Sequence, residues 1–66
     1  MVIVNGTEEQ QVAGQTITAF LIAREAPIDN IVVELNGEII HRQQFDDTQL
    51  TENDRVELIS FVGGGR

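Results

Sequence analysis

Residues 31–40 read Ile-Val-Val-Glu-Leu-Asn-Gly-Glu-Ile-Ile and carry the clearest structural signal in the chain. Ile31–Leu35 is rich in β-branched residues, which predicts a strand. Asn36-Gly37 follows, and Asn-Gly between two apolar runs is a strong signal for a two-residue β-hairpin turn. We therefore predict that Glu38–Ile40 returns antiparallel to the preceding strand.

The segment before this hairpin predicts one substantial helix. Thr16 can cap it, because a threonine hydroxyl accepts a backbone N–H of the first helical turn. Pro27 predicts the end of the helix near residues 25–26, since the residue before a proline avoids helical backbone angles. Three apolar side chains and one aliphatic stem recur at helical spacing on a single face, at Ile17, Phe20, Leu21 and Arg24.

Strands are also predicted towards both ends of the chain. Met1–Asn5 is rich in β-branched residues and leads into Gly6, and the polar stretch Thr7–Gln11 is predicted to form the weaker second strand of a hairpin. Glu52–Asp54 is predicted as a turn, and residues 55–62 as the last strand.

The order of these elements is strand, strand, helix, strand, short strand, turn and strand. With one helix to cover one face of the sheet, this order predicts an α+β roll. A helix that crosses from the second strand to the third is typical of the β-grasp arrangement, with a mixed sheet of four to five strands in which the last strand lies parallel to the first at the centre. Residues 1–62 are predicted to form this domain, and residues 63–66 a flexible glycine-rich tail.

Composition excludes several classes of function. The 66 residues include 11 acidic and four basic side chains, for a net charge of -7. We therefore expect neither nucleic acid nor an anionic membrane as a partner, because both attract clustered cations, and a partner with a basic face is favoured. The chain has no cysteine and one histidine, His41, so we expect no disulfide, metal site or bound cofactor. With no long apolar run and no signal-peptide pattern, we expect a cytoplasmic protein.

The glycine-rich tail suggests how the chain could act on or through a partner protein. Gly63, Gly64 and Gly65 directly follow the last predicted strand and precede Arg66. Such a segment is either a frayed end or a functional extension. Glycine has no Cβ, so this backbone can enter a narrow channel and present a carboxylate to another protein's active site. No base or metal site is predicted nearby, so a partner would carry out any chemistry there.

The sequence resembles the ThiS-type sulfur carriers, a family of ubiquitin-like proteins of thiamine biosynthesis. The resemblance spans essentially the whole chain, and the last strand joined to its glycine tail is the most specific part. The matching segments are Val4-Asn5-Gly6, Thr16-Ile17, residues 33–40 (Val-Glu-Leu-Asn-Gly-Glu-Ile-Ile) and residues 53–65 (Asn-Asp-Arg-Val-Glu-Leu-Ile-Ser-Phe-Val-Gly-Gly-Gly).

The resemblance implies a protein co-substrate rather than an enzyme. In this family the terminal glycine carboxylate, matched here by Gly65, is adenylated by an activating enzyme that uses ATP and Mg²⁺. A cysteine desulfurase or sulfur-transfer enzyme then supplies sulfur for a thiocarboxylate, which is given to thiazole synthase. The family ordinarily ends at this glycine, whereas Arg66 follows here. We therefore expect either that a peptidase removes Arg66 before activation or that Arg66 is not part of the native chain.

The last strand also predicts a docking patch. Alternation places Val56 and Leu58 on one face and Ile59 and Phe61 on the other. If Val56 and Leu58 face the helix, Ile59 and Phe61 lie on the uncovered face, just before the tail. We interpret these two side chains as an apolar docking patch for a partner, and the alternative is that they pack beneath a loop.

Two other functions remain open from the sequence. The first is a related β-grasp sulfur donor that serves molybdopterin synthesis, cysteine synthesis or tRNA thiolation. The second, from a different class, is a ubiquitin-like binding module that binds through Ile59 and Phe61 and whose tail is inert.

Overall fold

The computed structural model describes residues 1–61, which form a five-stranded mixed sheet with one α-helix packed on one face. The predicted α+β roll of β-grasp type is confirmed. In chain order the elements are β1 (Val2–Val4), β2 (Thr7–Glu9), α1 (Ile17–Ala23), β3 (Ile31–Leu35), β4 (Glu38–Ile40) and β5 (Arg55–Ser60), with short 3₁₀ helices at Ile28–Asn30 and Arg42–Gln44.

The strand order in the sheet is β2-β1-β5-β3-β4. β1 and β5 pair in parallel, and the other neighbouring pairs are antiparallel. The last strand of the chain therefore lies inside the sheet beside the first strand, as predicted. β5 pairs with β1 on one side and with β3 on the other, so it is not an edge strand.

Both hairpin turns use left-handed backbone at an Asn-Gly pair. Asn36 and Gly37 have φ angles of 53° and 88°, and Asn5 and Gly6 have 50° and 83°. Positive φ at both central positions matches the right-handed twist of the flanking strands, which is why Asn-Gly is favoured there. The first hairpin turns at Asn5-Gly6, and its second strand, β2, ends at Glu9 rather than at the predicted Gln11.

The helix begins where the sequence predicts and ends earlier. The Thr16 hydroxyl accepts the Ala19 backbone N–H at 3.1 Å and caps the first turn. The last helical residue is Ala23, and Glu25 takes a left-handed conformation with φ of 56°. The Ala26 N–H then donates to the Leu21 carbonyl at 3.0 Å, which is the bond that closes a Schellman helix end. This local cap ends the helix before Pro27 can.

The core lies between α1 and the inner face of the sheet. β1, β3 and β5 supply valines, α1 supplies its predicted apolar face, and the long β4–β5 connection supplies two anchors. The buried hydrophobic residues are Val2, Val4, Val12, Ile17, Phe20, Leu21, Val33, Phe45, Leu50 and Val56. One face of the sheet is thereby covered, and the other has no helix packed on it among residues 1–61.

Candidate functional site

We call the side of the sheet away from α1 the open face. On β5, Val56 is buried and Leu58 packs against the core, so the alternate residues of the strand point to the open face. Ile59 is 50% exposed and Phe61 is 47% exposed. The structure thus places both predicted docking residues on the open face, and neither is packed away beneath a loop. Their role in docking stays a prediction.

The strand register identifies the other residues of the open face. Val32 on β3 lies directly opposite Ile59, and Glu34 lies opposite Glu57. Ile39 on β4 lies opposite Glu34 and is 57% exposed. Apolar side chains from three neighbouring strands therefore flank one acidic pair on this side of the sheet.

The first strand adds one further apolar residue to the open face. Val2 and Val4 are buried, so Ile3 between them points to the open face, where it lies beside Arg55. The sequence pattern left the facing of this strand undecided, because three β-branched residues in a row carry no alternation. Ile3 is thus an apolar residue of the open face that is separated from Ile59 by Arg55 and Glu57.

Hydrogen bonds hold β5 on both of its sides. The Asn5 side-chain oxygen accepts the Leu58 N–H at 2.7 Å, and the Asn5 N–H donates to the Val56 carbonyl at 2.9 Å. On the β3 side, the Phe61 N–H donates to the Asn30 carbonyl at 2.9 Å. β5 ends at Ser60, but its ladder bonding continues to Phe61. The strand is therefore held up to the last residue that the structure describes.

A second set of hydrogen bonds fixes the start of β5. The Asn36 side-chain amide donates to Asp54 Oδ1 at 3.0 Å, and its oxygen accepts the Arg55 N–H at 2.9 Å. The Thr51 N–H donates to Asp54 Oδ2 at 2.8 Å. Burial by itself raises the pKa of Asp54, but the hydrogen bonds from Asn36 and Thr51 outweigh burial and lower it. The sequence pattern indicates only a turn at Asp54 and does not reveal this contact, which ties the β3–β4 turn to β5.

The predicted reactive end lies outside the described residues. Val62, Gly63, Gly64, Gly65 and Arg66 all follow Phe61. Within residues 1–61, no group of three His, Cys, Asp or Glu side chains is placed to hold a metal ion, and no helix is long and apolar enough to cross a membrane.

A five-stranded mixed sheet with a central parallel pair and one covering helix defines a ubiquitin-like protein of the β-grasp class. The model of the ThiS family matches residues 2–65, so the match extends through the three glycines. The chain belongs to the ThiS family.

Individual relatives agree with this family. The chain is 34% identical over 50 residues to the sulfur carrier protein ThiS of Bacillus subtilis, and this match covers 76% of each of the two chains. A crystal structure of the thiamine biosynthesis protein ThiS from Geobacter metallireducens superposes with a TM-score of 0.79 at 36% identity and covers 97% of both chains.

The chain also resembles part of a larger protein. It is 29% identical over 63 residues to the thiazole synthase of Paramagnetospirillum magneticum, and this match covers 96% of the present chain. The thiazole synthase of Magnetococcus marinus matches at 29% over 62 residues. In both cases the match spans 19% of the relative's length. A segment similar to this chain therefore forms about a fifth of each of these two thiazole synthases.

Proposed function

We propose that the chain is a sulfur carrier of thiamine biosynthesis and that it carries sulfur as a thiocarboxylate on Gly65. The observation that carries the proposal is that β5, at the centre of the sheet, is followed two residues later in the sequence by the triglycine segment that the family match includes. A well-held strand followed by residues without side chains suits a carboxyl group that must enter another protein's active site. On this proposal the chain is a co-substrate, and its partners perform the catalysis.

The chemistry requires activation, because a carboxylate is a poor electrophile. An adenylating enzyme would use Mg²⁺-bound ATP to join AMP to the Gly65 carboxylate, with release of pyrophosphate. A persulfide on a cysteine desulfurase or a sulfur-transfer enzyme would then attack the acyl carbon with its terminal sulfur and displace AMP, which gives an acyl disulfide. A thiol would attack the donor's sulfur in this S–S bond, so that the donor is left in a new disulfide with the thiol. The released product is a thiocarboxylate with sulfur in place of one carboxylate oxygen.

The residue after Gly65 must leave before this activation. In the sequence the Gly65 carbonyl is part of a peptide bond to Arg66, so no free carboxylate is present at Gly65. Hydrolysis of this bond by a peptidase would release arginine and create the carboxylate. We therefore propose a peptidase as a further partner, which acts before the adenylating enzyme.

Thiazole synthase is the proposed sulfur acceptor. Two thiazole synthases each contain a segment similar to this chain, and physical linkage of two proteins is one way to keep a carrier and its acceptor close together. We propose that Ile59 and Phe61 contact the synthase while the tail enters its active site. That similarity favours thiazole synthase over an acceptor in molybdopterin synthesis, cysteine synthesis or tRNA thiolation.

The test compares three forms of the chain with the adenylating enzyme of the same organism. A chain that ends at Gly65 is expected to support ATP–pyrophosphate exchange. The full-length chain is expected to support it only after treatment with a carboxypeptidase that removes Arg66. A Gly65→Val variant that ends at residue 65 should be folded by circular dichroism and support little exchange. Normal exchange with this variant would contradict the assignment of Gly65.

A further inference from the structure

Two glutamates lie side by side on the open face. Glu34 on β3 and Glu57 on β5 are directly opposite each other in the antiparallel register, and both are half-buried. Side chains in this relation have Cβ atoms about 4.5–5.5 Å apart, and like charges there destabilise the sheet. Among residues 1–61, neither carboxylate accepts a hydrogen bond from a side chain or forms an ion pair.

The nearest arginine on the same strand does not neutralise this pair. Arg55 precedes Glu57 by two residues and points to the same face, yet within the described part of the chain it forms no ion pair. It lines a shallow hollow with Asn36 and Asn53 instead. The fold therefore places two like charges side by side on its exposed sheet face, and neither carboxylate has an ion pair among residues 1–61.

Apolar side chains flank the acidic pair on two sides. Ile39 lies opposite Glu34, and Val32 and Ile59 form the next cross-strand pair along the sheet. A partner that covers these apolar residues also removes water from the two carboxylates between them. Loss of that water is costly for a carboxylate unless a cation or hydrogen-bond donors replace it.

We propose that Glu34 and Glu57 together receive one basic side chain of thiazole synthase when the open face docks on it. This inference rests on the proposed function, which supplies the partner. An arginine suits the pair best, because its planar guanidinium donates in two directions and is more weakly hydrated than an ammonium group. The net charge of -7 favours a basic partner surface as well.

A second copy of this chain is a poor occupant of the same face. Two open faces in contact would bring two acidic pairs together, and their four carboxylates would outnumber the two Arg55 side chains that the same faces carry. The proposed contact has the opposite effect, because the partner's cation relieves the repulsion that the free chain carries. The acidic pair therefore lowers the stability of the free domain and raises the affinity of the complex. These two effects can be measured separately, as Tm and as Kd.

The experiment uses a double variant, Glu34→Gln with Glu57→Gln, which keeps shape and removes both charges. Its affinity for the thiazole synthase of the same organism is expected to fall about tenfold at low salt, and its Kd should depend less on salt than that of the unsubstituted chain. Its Tm should be equal or higher, because the repulsion between the strands is gone.

A matched control removes two charges elsewhere. Glu25 and Asp47 are exposed and lie outside the sheet, so Glu25→Gln with Asp47→Asn changes the net charge equally. The control should change Kd much less than the Glu34/Glu57 double variant. Equal effects of the two double variants would overturn the inference, as would an unchanged Kd in the Glu34/Glu57 variant while the unsubstituted chain binds. No binding by the unsubstituted chain would contradict the proposed function as well.

Discussion

Replacement of Ile59 by threonine tests the docking patch with little disturbance of the fold. Ile59 is 50% exposed, so folding buries about half of its surface and a partner can cover the rest. Complete burial of an isoleucine side chain contributes about 1.5–3 kcal/mol, so the remaining half is worth about 1 kcal/mol in a complex. Threonine is also β-branched and suits the strand, but it replaces the ethyl group by a hydroxyl.

The expected result of Ile59→Thr is a Kd for thiazole synthase about fivefold higher, which corresponds to about 1 kcal/mol. Phe61 is 47% exposed, and a second change, Phe61→Ser, should bring the total loss to about 2 kcal/mol, or about thirtyfold in Kd. The assay is isothermal titration calorimetry with the synthase of the same organism, with urea denaturation of each variant to measure the free energy of unfolding.

Ile22 provides the matched control. It is 61% exposed and lies on α1, which covers the opposite side of the sheet, so Ile22→Thr removes the same atoms from the other side of the molecule. We expect the Kd of this variant to match that of the unsubstituted chain. Equal Kd values for Ile59→Thr and Ile22→Thr would refute the assignment of the open face as the docking surface.

Three further predictions concern stability. Asn36→Gly keeps the positive φ of the turn but removes two hydrogen bonds to Asp54 and Arg55, so urea denaturation should give a free energy of unfolding lower by about 1–2 kcal/mol; an unchanged value would contradict the role of this side chain. Because the pKa of Asp54 is lowered in the folded chain, its ionised carboxylate stabilises the fold. This stabilisation is complete above the ordinary aspartate pKa of about 3.9 and is lost as the pH falls through the lowered pKa. Thermal melts between pH 5 and 2 should therefore show a smaller loss of Tm in Asp54→Asn than in the unsubstituted chain. Leu21→Ala should cost about 2–5 kcal/mol, which is comparable to the whole stability of a domain this small, so circular dichroism should show a largely unfolded chain at 37 °C, and a cooperative melt near that of the unsubstituted chain would contradict the core assignment.

The elements that the sequence predicted well are those with strong local signals. Asn36-Gly37 specified its hairpin because both residues tolerate positive φ, and Thr16 specified the helix start through its hydroxyl. The helix end was predicted too late because Glu25, rather than a glycine, takes the left-handed position of the cap. A glutamate carries no sequence signal for that conformation, whereas Pro27 carries a clear signal slightly further along.

The sequence predicted those residues of the candidate site whose position follows from the pattern of a single strand. Alternation within β5 placed Ile59 on the uncovered face, because side chains of a strand point to opposite sides. The Glu34–Glu57 pair and the contact between Asn36 and Asp54 depend on the register between segments far apart in the sequence. That register arises from packing of the whole sheet, so the pattern of a single segment does not contain it.

The most direct test of the sulfur-carrier proposal is the intact mass of the protein purified from its native host. We expect a chain that ends at Gly65, with one carboxylate oxygen replaced by sulfur, and fragmentation should place the sulfur on that residue. Loss of this species in cells that lack the adenylating enzyme would identify its origin. A chain that retains Arg66 and carries no sulfur, even in cells deprived of thiamine, would contradict the proposed carrier function.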